Sequence, residues 1–429
     1  MGGRRQHEIG AMRVGIVTAF PGSGAAKSAI AYYSQTILDP LRDGADEFII
    51  FADGDREYPL GTIQGYASNI AVRRCWNFGY LSAFQILWAV LRQRVDVLHL
   101  EYDVYLYGGV VAAILLPFVL RLLRARGTRI VTTLHGVVAR RVVTREMLRE
   151  NGFVLPYSRI GRAGFAAIYR LFGWACDRII VLEVELADIL EWDYGVRRSK
   201  IYVCPLPLMH DRERPQMGEA RRRCGISQDK VVLFFGYASY YKGIDVLIDA
   251  FTLARRDLPG LALHVIAGRH PRLAGNLRYE SFYEALHAKA DATGARMYHF
   301  MPEQQLADFL AAADVVVLPY TAAYGASAAL NAVLAARKPV LVSTLVRFAG
   351  ALECQTFAPN PRDCARAMVE FFNSNERILI DRVEEVAATR DVTVIARMIQ
   401  EVRSGRGKCI LETNVAPPVV TAAQPGRRP

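Results

Sequence analysis

The chain lacks the features of a secreted, disulfide-stabilised protein. Its seven cysteines form no Cys-x-x-Cys pair and no metal-ligand spacing, and no Asn-x-Ser/Thr sequon occurs in the 429 residues. Residues 1–12 contain no apolar signal core. An odd, scattered set of cysteines is typical of a reducing compartment. We therefore expect a cytoplasmic protein that begins with a flexible leader.

Acidic residues are scarce in one long segment of the chain. Residues 121–178 carry twelve arginines and three acidic side chains, a balance of +9 (twelve minus three) within a net charge of +11 (53 minus 42). Such a segment predicts an anionic partner, either a membrane face, a lipid-linked phosphate or nucleic acid. No nucleic-acid-binding motif accompanies the charge, so we expect no nucleic-acid partner. A solvated basic surface without a partner is the alternative.

No apolar run is long enough to favour a membrane span. Val104–Leu120 is uncharged, but it is short, contains two glycines and Pro117, and follows a strand-like run. A span needs about 20 apolar residues, so a buried helix that crosses a sheet is the better interpretation. Because Arg121 and further arginines follow, the same segment is also suited to lie on a bilayer surface.

Strand-like and helix-like runs alternate along both halves of the chain. The first half has strand-like runs at Met12–Thr18, Glu47–Ala52, Val95–Leu100, Thr128–Leu134, Asp177–Leu182 and Lys200–Cys204. The second half has them at Lys230–Gly236, Leu261–Gly268, Arg296–Phe300, Asp314–Leu318 and Lys338–Ser343. Strands that alternate with helices form parallel, doubly wound sheets, and a chain of this length exceeds one core. The sequence thus predicts an α/β fold with two facing Rossmann-like domains.

A segment rich in proline and charge, Pro205–Gly225, separates the two halves. The predicted parts are a leader at 1–11, an N-terminal domain at 12–207, a linker at 208–226, a C-terminal domain at 227–380, a closing helix within 381–403 and a disordered tail at 404–429. The tail is assigned from its content of proline, alanine and glycine.

The most informative stretch is Asp314–Ser343. It reads as a buried strand, a loop with tyrosine, glycine and serine, a helix of small residues, and a second strand opened by Pro339. The helix begins near Ser327, so its first N–H groups and the positive end of its dipole are open to an anion such as phosphate. A tightly packed helix start with nothing bound is the alternative.

The loop after the first strand is rich in glycine. Gly22, Ser23 and Gly24 lie there, and glycine lets a backbone approach a ligand closely. The loop has neither the Gly-Lys-Ser/Thr order of a phosphate loop nor a GxGxxG pattern. It is a candidate binding loop because ligands of open α/β sheets bind outside the carboxyl ends of the strands.

Polar side chains follow two further strands of the first half. Glu101 and Asp103 lie two residues apart on an extended segment, so they point to the same side. They are able to bind sugar hydroxyls or to pair with nearby arginines. His135 follows the next strand. A lone histidine is more often structural, but its place at the carboxyl end of a strand favours a functional role.

Lys242 lies between a strand and a helix in the second half, in a loop that Gly236 and Gly243 shape. A lysine at this point sits where the phosphate of a ligand would lie. The alternative is an ordinary lysine in a surface turn. Arg269 ends the next strand and adds positive charge to the same edge.

These motifs together resemble those of glycosyltransferase family 4. The loop Gly236 to Gly243, then Asp314–Tyr320, then Leu330–Val340 are similar to the nucleotide-sugar half of that family, and the similarity runs from about Met12 to Arg403. Members are retaining enzymes with the GT-B fold. The resemblance therefore implies a nucleotide-diphosphate sugar as donor.

The resemblance also implies roles for individual residues. The donor diphosphate would lie between Lys242 and the helix start at 326–328, the base near residues 300–302, and the transferred sugar near His135. The expected catalytic residues are His135 and Lys242. The expected donor-binding residues are Gly236, Lys242, Arg269, Met301, Ala326, Ser327 and Asn331. The expected acceptor-binding residues are Gly22, Ser23, Gly24, Glu101 and Asp103. The helix Asp391–Arg403 resembles the family's closing element, which returns to the first domain.

This sequence departs from the family pattern at three positions. Tyr237 stands where an arginine usually follows the first glycine of the donor loop, and Ala323 and Asn331 occupy the positions of two glutamates. The chain resembles a branch without the acidic pair. Asn331 is still able to hydrogen-bond a ribose, but it supplies no charge.

We expect a retaining hexosyltransferase that moves a sugar to a glycan or lipid-linked acceptor in polysaccharide biosynthesis. The enzyme would work in the cytoplasm, with peripheral attachment to an anionic inner membrane face, and would need no cofactor or metal because Lys242 supplies the charge. The alternative is a catalytically silent nucleotide-sugar-binding partner of another transferase. An epimerase on the same fold would need cleft carboxylates, and Glu101 with Asp103 is the adjacent pair on which it would depend.

One motif favours a metal-binding site instead. Asp53-Gly54-Asp55 matches the DxD motif that binds a metal in the other large glycosyltransferase fold. It follows a strand, and a glycine between two aspartates is typical of a turn. We therefore expect a turn here and no metal site.

Overall fold

Eight strands of the first half form one sheet. They are β1 (Arg13–Thr18), β2 (Glu47–Asp53), β3 (Ile63–Ala67), β4 (Ile70–Trp76), β5 (Val97–Tyr102), β6 (Arg129–Leu134), β7 (Arg178–Val181) and β8 (Ile201–Val203). Their order is β3-β4-β2-β1-β5-β6-β7-β8, and all pairs are parallel except β3 with β4. All six residues of β5 are buried, as expected of a parallel strand that is covered on both faces.

The computed structural model describes residues 11–21, 29–153, 157–208, 215–322, 324–345, 356–374 and 376–407, with backbone alone at 376–380 and 382. The helices of the first half are α1 (Ala29–Leu38), α2 (Ser82–Leu91), α3 (Val110–Ala125), α4 (Arg145–Glu150), α5 (Ser158–Ala175) and α6 (Val184–Trp192). Side chains of α2, α3, α5 and α6 share one apolar core on one face of the sheet, whereas α1 packs on the other face.

The second half forms a six-stranded, fully parallel sheet. Its strands are β9 (Lys230–Ala238), β10 (Leu261–Arg269), β11 (Arg296–Tyr298), β12 (Val315–Leu318), β13 (Val340–Ser343) and β14 (Thr356–Phe357). The order is β11-β10-β9-β12-β13-β14. Its helices are α7 (Met217–Cys224), α8 (Ile244–Ala254), α9 (Leu277–Thr293), α10 (Glu303–Ala312), α11 (Ala328–Ala335), α12 (Pro361–Asn373) and α13 (Glu376–Ala388).

The last helix, α14 (Val392–Ser404), packs on the first half of the chain. Asp391 caps it by accepting hydrogen bonds from the amides of Thr393 and Val394, and Gly405 ends it with a φ of 90°. Its apolar stripe joins the core that α1 forms with the first sheet. The chain therefore crosses back to the domain in which it began.

The predicted fold is confirmed, since both sheets and each of the eleven predicted strands are present. The hairpin of β3 and β4 was missed, because β3 is an exposed antiparallel edge strand that lacks an apolar run. The helix expected at Val104–Leu120 begins later, at Val110, because Gly108 and Gly109 adopt positive φ angles. Across the described residues, no helix combines the length and the apolar character that crossing a membrane requires.

The predicted domain limits stay predictions. Most of the leader and most of the tail, at 1–10 and 408–429, lie outside the described residues, as does part of the expected linker at 209–214. The expected closing helix within 381–403 is represented by the end of α13 and by α14.

Candidate active site between the two sheets

The carboxyl edges of the two sheets touch through glycine backbone. Gly136, just after β6, forms an isolated antiparallel bridge with Gly325, just before α11. A Cβ atom on Gly325 would lie 2.5 Å from the carbonyl oxygen of His135, and one on Gly136 would lie 2.8 Å from that of Tyr324. Neither position has room for a side chain. The strand end that carries His135 is therefore held directly against the loop before α11.

His135 is fixed by a buried carboxylate. Its Nε2 atom lies 2.9 Å from Oε2 of Glu101, which is on the neighbouring strand β5. Only 10% of the His135 side chain is exposed, and the ring of Tyr33 meets it edge-on with centroids 4.8 Å apart. The imidazole is thus held in one orientation at the carboxyl edge of the sheet.

Glu101 also faces a second histidine, which is wholly buried. His99 lies two residues earlier on the same face of β5, with Nε2 3.4 Å from Oε1 of Glu101 and 2.7 Å from Oγ1 of Thr133. Its other ring nitrogen, Nδ1, accepts a hydrogen bond of 2.9 Å from Nε of Arg403 on α14. Because Nδ1 is an acceptor, the proton of neutral His99 must be on Nε2.

The charges of this network follow from burial and from its internal contacts. Burial lowers the pKa of His99 to about 3, so this ring is neutral at physiological pH. Burial alone would raise the pKa of Glu101, but His99 and His135 outweigh it and the net shift is downward. Burial also lowers the pKa of Arg403, to about 10, which still leaves it charged. An ionised Glu101 therefore lies between two imidazoles.

Lys242 lies across from this network, in a short turn between β9 and α8. Its ammonium donates a hydrogen bond of 2.9 Å to Oη of Tyr320 and lies 4.6 Å from the centre of that ring. Burial acts to lower the pKa of Lys242, but Tyr320 and Tyr241 outweigh it and the pKa is raised. No carboxylate among the described residues lies within ion-pair distance of this ammonium. A Cβ on Gly236 would lie 3.3 Å from it.

Tyr320 connects Lys242 to the start of α11. The Tyr320 hydroxyl lies 3.0 Å from Oγ of Ser327, which caps the helix by accepting from the amide of Leu330. The amides at the start of a helix have no partner within it and carry partial positive charge. The lysine and the helix start therefore present positive charge from two directions, as expected of a site for a diphosphate.

Aromatic rings line the neighbouring strand ends. Tyr237 stacks nearly parallel to Phe300, with centroids 6.2 Å apart and planes at 14°. The Phe300 side chain is 71% exposed. Met301, the expected contact for the base, is partly buried against the core of the second half. An exposed pair of rings at this edge is able to stack on a planar base.

Two expected donor residues have other partners in the structure. Arg269 donates from Nε to Glu280 at 2.8 Å and lies over the ring of Tyr283, so its charge is paired on the surface. Asn331 is buried and donates from Nδ2 to the carbonyl oxygens of Leu206 and Pro207, at 3.2 and 2.9 Å. A glutamate has no donor for two carbonyls, which explains an amide at this position.

Two of the expected acceptor residues, Glu101 and Asp103, have other partners in the structure. Gly22, Ser23 and Gly24 lie outside the described residues. Glu101 is only 2% exposed and faces histidines, where the sequence pointed to sugar hydroxyls or arginines. Asp103 accepts a hydrogen bond from the amide of Tyr105 and so shapes the turn after β5.

The Asp53-Gly54-Asp55 segment leads from the end of β2 into a bend at residues 56–58. Asp55 accepts hydrogen bonds from the amides of Glu57 and Tyr58, at 2.8 and 2.6 Å. Asp53 accepts from the amide of Phe20. Over the described residues, no group of three or more acidic, histidine or cysteine side chains is arranged to hold a metal ion.

Comparison with known proteins identifies the family. The family described as "Glycosyltransferase Family 4" matches residues 41–212, and "Glycosyl transferases group 1" matches residues 229–374. These segments contain both halves of the site described above. The chain belongs to glycosyltransferase family 4. Within the second match lie Lys242, Tyr320 and Ser327.

Solved structures share the fold of this family 4 chain. Sucrose-phosphate synthase from Thermosynechococcus elongatus superposes with a TM-score of 0.68 at 15% identity, covering 92% of this chain and 98% of that chain. HepE of Anabaena, solved in complex with UDP, gives a TM-score of 0.64 at 16% identity, covering 92% and 100%. The predicted GT-B fold is confirmed.

Curated relatives match a shorter part of the family 4 chain. D-inositol 3-phosphate glycosyltransferase of Streptomyces avermitilis is 33% identical over 180 residues, which is 40% of this chain and 38% of that protein. Mannosylfructose-phosphate synthase of Agrobacterium fabrum is 29% identical over 162 residues, 35% and 33% of the two proteins. The matched segments span about a third of the length of these relatives.

Sequence reasoning on this family 4 chain missed three residues of the site. His99 shares the alternating pattern of β5 with Glu101, so its position facing the same side was readable. Arg403 lies on the apolar stripe of α14 beside Val402, and a charge on such a stripe signals a buried partner. Tyr320 lies two residues after the buried strand β12, and its place before the loop did not single it out.

Proposed function

We propose that this family 4 chain transfers a sugar, with retention, from a nucleotide-diphosphate sugar to a glycan or lipid-linked acceptor. The observation that carries the proposal is the arrangement of Lys242, Tyr320 and Ser327 at the start of α11. This positive site is held against His135 by the contact of Gly136 with Gly325. A donor diphosphate and the sugar it carries would bridge the two.

Lys242 would stabilise the leaving group. Breaking the bond between sugar and diphosphate builds negative charge on phosphate oxygens, and a preorganised cation in a water-poor site stabilises that charge strongly. The raised pKa of Lys242 keeps it charged at neutral pH. The amides that open α11 would add to this effect, and the proposal needs no metal ion.

His135 would position and polarise the transferred sugar. The imidazole is oriented by Glu101, so its ring meets the sugar in a fixed geometry. The acceptor hydroxyl would attack from the face that the diphosphate leaves, and its proton would pass to the departing phosphate. Little covalent chemistry is required of the protein, because positioning and charge carry most of the effect.

The relatives support the donor class. HepE of Anabaena is solved with UDP and with UDP-glucose, and a trehalose-6-phosphate protein of E. coli with UDP-2-fluoro glucose. These proteins share the fold at low identity, so the nucleotide and sugar of this chain are part of the proposal. The stacked Tyr237 and Phe300 favour a donor whose base lies against aromatic rings.

A second function, a silent nucleotide-sugar-binding partner of another transferase, is favoured by one observation. Asn331 is committed to the backbone of Leu206 and Pro207 and supplies no charge to a donor. Release of nucleotide diphosphate from a donor by the purified chain, in the presence of acceptor, would refute this alternative.

The test of the main proposal is a thermal-shift screen of UDP-, GDP- and ADP-sugars. One donor class should raise the melting temperature of the wild type, because a ligand that binds only the folded state stabilises it. Lys242→Ala should weaken donor binding by roughly 10- to 100-fold, the usual effect of losing a hydrogen bond to a charged group.

The matched control is Lys289→Ala. The ammonium of Lys289 bonds Asp249 and the carbonyl oxygen of Asp245, both on α8, and not Tyr320 or Ser327, so the variant should bind donor like the wild type. Wild-type affinity in Lys242→Ala, or no shift with any of the three donor classes, would contradict the proposal.

A further inference from the structure

Two neighbouring helices of the first half turn large apolar side chains outward. On α2 they are Phe84, Trp88 and Leu91, and on α3 they include Val111, Ile114 and Phe118. Trp88 is 61% exposed, Phe84 54% and Phe118 49%. We call these six residues the α2–α3 face. Monomeric proteins rarely leave so many large apolar residues together in water, so the face marks an interaction surface.

Both helices are also apolar on the side that meets the sheet. Ile86 and Val90 of α2 and Leu116 and Leu120 of α3 are buried in the core beneath them. An ordinary surface helix has one apolar stripe and a polar outer face. The outer faces of α2 and α3 are therefore not explained by packing within the chain.

The two helices of the α2–α3 face carry charge of one sign only. Neither α2 nor α3 contains an acidic residue. Arg92, at the end of α2, lies over the ring of Trp88 at 4.5 Å, and Arg121 of α3 lies over the ring of Trp174 at 5.4 Å. The chain passes from α2 into β5 and from α3 into β6, and these parallel strands start at the same edge of the sheet. Arg92 and Arg121 therefore lie toward that edge. Arginine and tryptophan together are typical of a membrane–water interface.

A basic groove lies on the next helix of the same layer. Arg159, Arg162 and Arg170 of α5, with Arg140, line a cavity of about 450 Å³ whose floor is three alanines. In the part of the chain that is described, no carboxylate pairs with these four guanidinium groups. Arg162 and Arg170 each donate Nε to a backbone carbonyl, which holds them in place. Fixed guanidinium groups bind phosphate well.

We propose that the α2–α3 face docks on an anionic phospholipid bilayer, with the groove of α5 taking headgroup phosphate. The helices would lie along the surface, since no described helix is able to span a membrane. A second copy of the chain fits less well, because a symmetric interface would bring like arginines together. Docking of this kind would bring the proposed site close to a lipid-linked acceptor, one of the two acceptor classes proposed above. The docking itself does not depend on transfer activity.

The experiment is flotation of the full chain with phosphatidylcholine vesicles, with and without phosphatidylglycerol. The wild type should float with the anionic vesicles, and the bound fraction should fall as salt is raised. Trp88→Ser combined with Phe118→Ser should lower the partition coefficient by about tenfold or more, because burial of apolar surface drives such binding. Arg159→Gln combined with Arg162→Gln should abolish the preference for anionic vesicles.

Two controls match these variants. Trp192→Ser changes a tryptophan that is 80% exposed at the end of α6, outside the face, and should float like the wild type. Arg256→Gln, on the surface of the second half, should keep the anionic preference. Circular dichroism and donor thermal shifts on the same samples show whether each variant folds and binds donor. A failure of the docking proposal is thereby separated from a failure of the proposed function.

Three results would overturn the docking proposal. One is a wild type that does not bind anionic vesicles. Another is a Trp88→Ser/Phe118→Ser protein that binds them as well as the wild type does. The third is a wild-type dimer, detected by light scattering, that the same variant converts to a monomer without any vesicle binding, which would assign the face to a second copy.

Discussion

Glu101 gives His135 a defined tautomer. Arg403 donates to Nδ1 of His99, so His99 carries its proton on Nε2 and directs it toward Thr133 and Glu101. The ionised Glu101 then accepts a hydrogen bond from Nε2–H of His135. A carboxylate that orients an imidazole in this way affects the reaction only through that imidazole. Glu101 is therefore a positioning residue.

Glu101→Gln should leave donor binding unchanged and lower kcat by roughly 10- to 100-fold, the usual cost of losing a supporting hydrogen bond to a functional histidine. The amide has nearly the same shape but lacks the charge that fixes the tautomer. The acid limb of turnover against pH should also change, because the variant removes the carboxyl of Glu101, whose pKa lies below its ordinary value although burial acts to raise it.

Glu401→Gln is the matched control, since Glu401 is exposed on α14. A Glu101→Gln protein with wild-type kcat and pH profile would show that the carboxylate does not act through His135.

At the scale of elements, apolar runs predicted the strands well and local chemistry predicted the helix starts. Buried parallel strands such as β5 and β12 are continuous apolar runs, and Ser327 and Asp391 were placed at helix starts. The edge strand β3 was missed because its residues alternate only weakly between apolar and polar.

The candidate site was predictable only in part. Lys242 and His135 were predicted as site residues because both follow strands at the carboxyl edge. The partners of Asn331 were not predicted, because they come from a distant segment: Asn331 reaches Pro207 across 124 positions. Pairs of this kind leave no local pattern in a single sequence.

Gly325→Ala should disrupt the contact between the sheets. Its Cβ would lie 2.5 Å from the carbonyl oxygen of His135, which is backbone and has little freedom to move. We expect a loss of about 1–3 kcal/mol in unfolding free energy, as for other overpacked sites, together with a fall in kcat/KM. Urea unfolding and steady-state kinetics measure the two effects.

Gly164→Ala provides the comparison. Gly164 lies in α5 with no atom within 4 Å of an added Cβ, so alanine there should be neutral or slightly stabilising. Unchanged stability and kinetics in Gly325→Ala would mean that the sheets do not meet at this point in solution.

At the scale of the whole molecule, a buried contact between a carboxyl and a guanidinium group joins the segment before α14 to the first half of the chain. Glu183, before α6, lies 3.3 Å from Arg390, before α14, and both side chains are under 10% exposed. Burial raises the pKa of Glu183 to about 8, although Arg390 acts to lower it. Because the pKa of Glu183 is higher in the folded state than in the unfolded state, binding of a proton to this carboxyl stabilises the fold at low pH. This contribution to the free energy of unfolding is lost as the pH rises toward 8.

Arg390→Met should destabilise the chain by about 3–5 kcal/mol where Glu183 is ionised, because the variant leaves a buried charge without its partner. The loss should be larger above the pKa of Glu183 than well below it, where the carboxyl is protonated. Urea unfolding on both sides of that pKa measures the difference.

Glu183→Gln combined with Arg390→Met removes both charges and should recover most of the stability. A double variant as unstable as Arg390→Met alone, or an equal loss at both pH values, would show that the ion pair is not the reason for the effect.

The contact between Arg403 and His99 joins residues 304 positions apart. During synthesis on a ribosome, the strand that carries His99 is made long before the arginine that fixes its proton. A nascent chain therefore completes the core of its first sheet only after α14 has been made, because Ile395, Ile399 and Val402 belong to that core. Loss of this helix should remove both the arginine and that part of the core, so we expect a destabilised first half whose His99 has lost its partner.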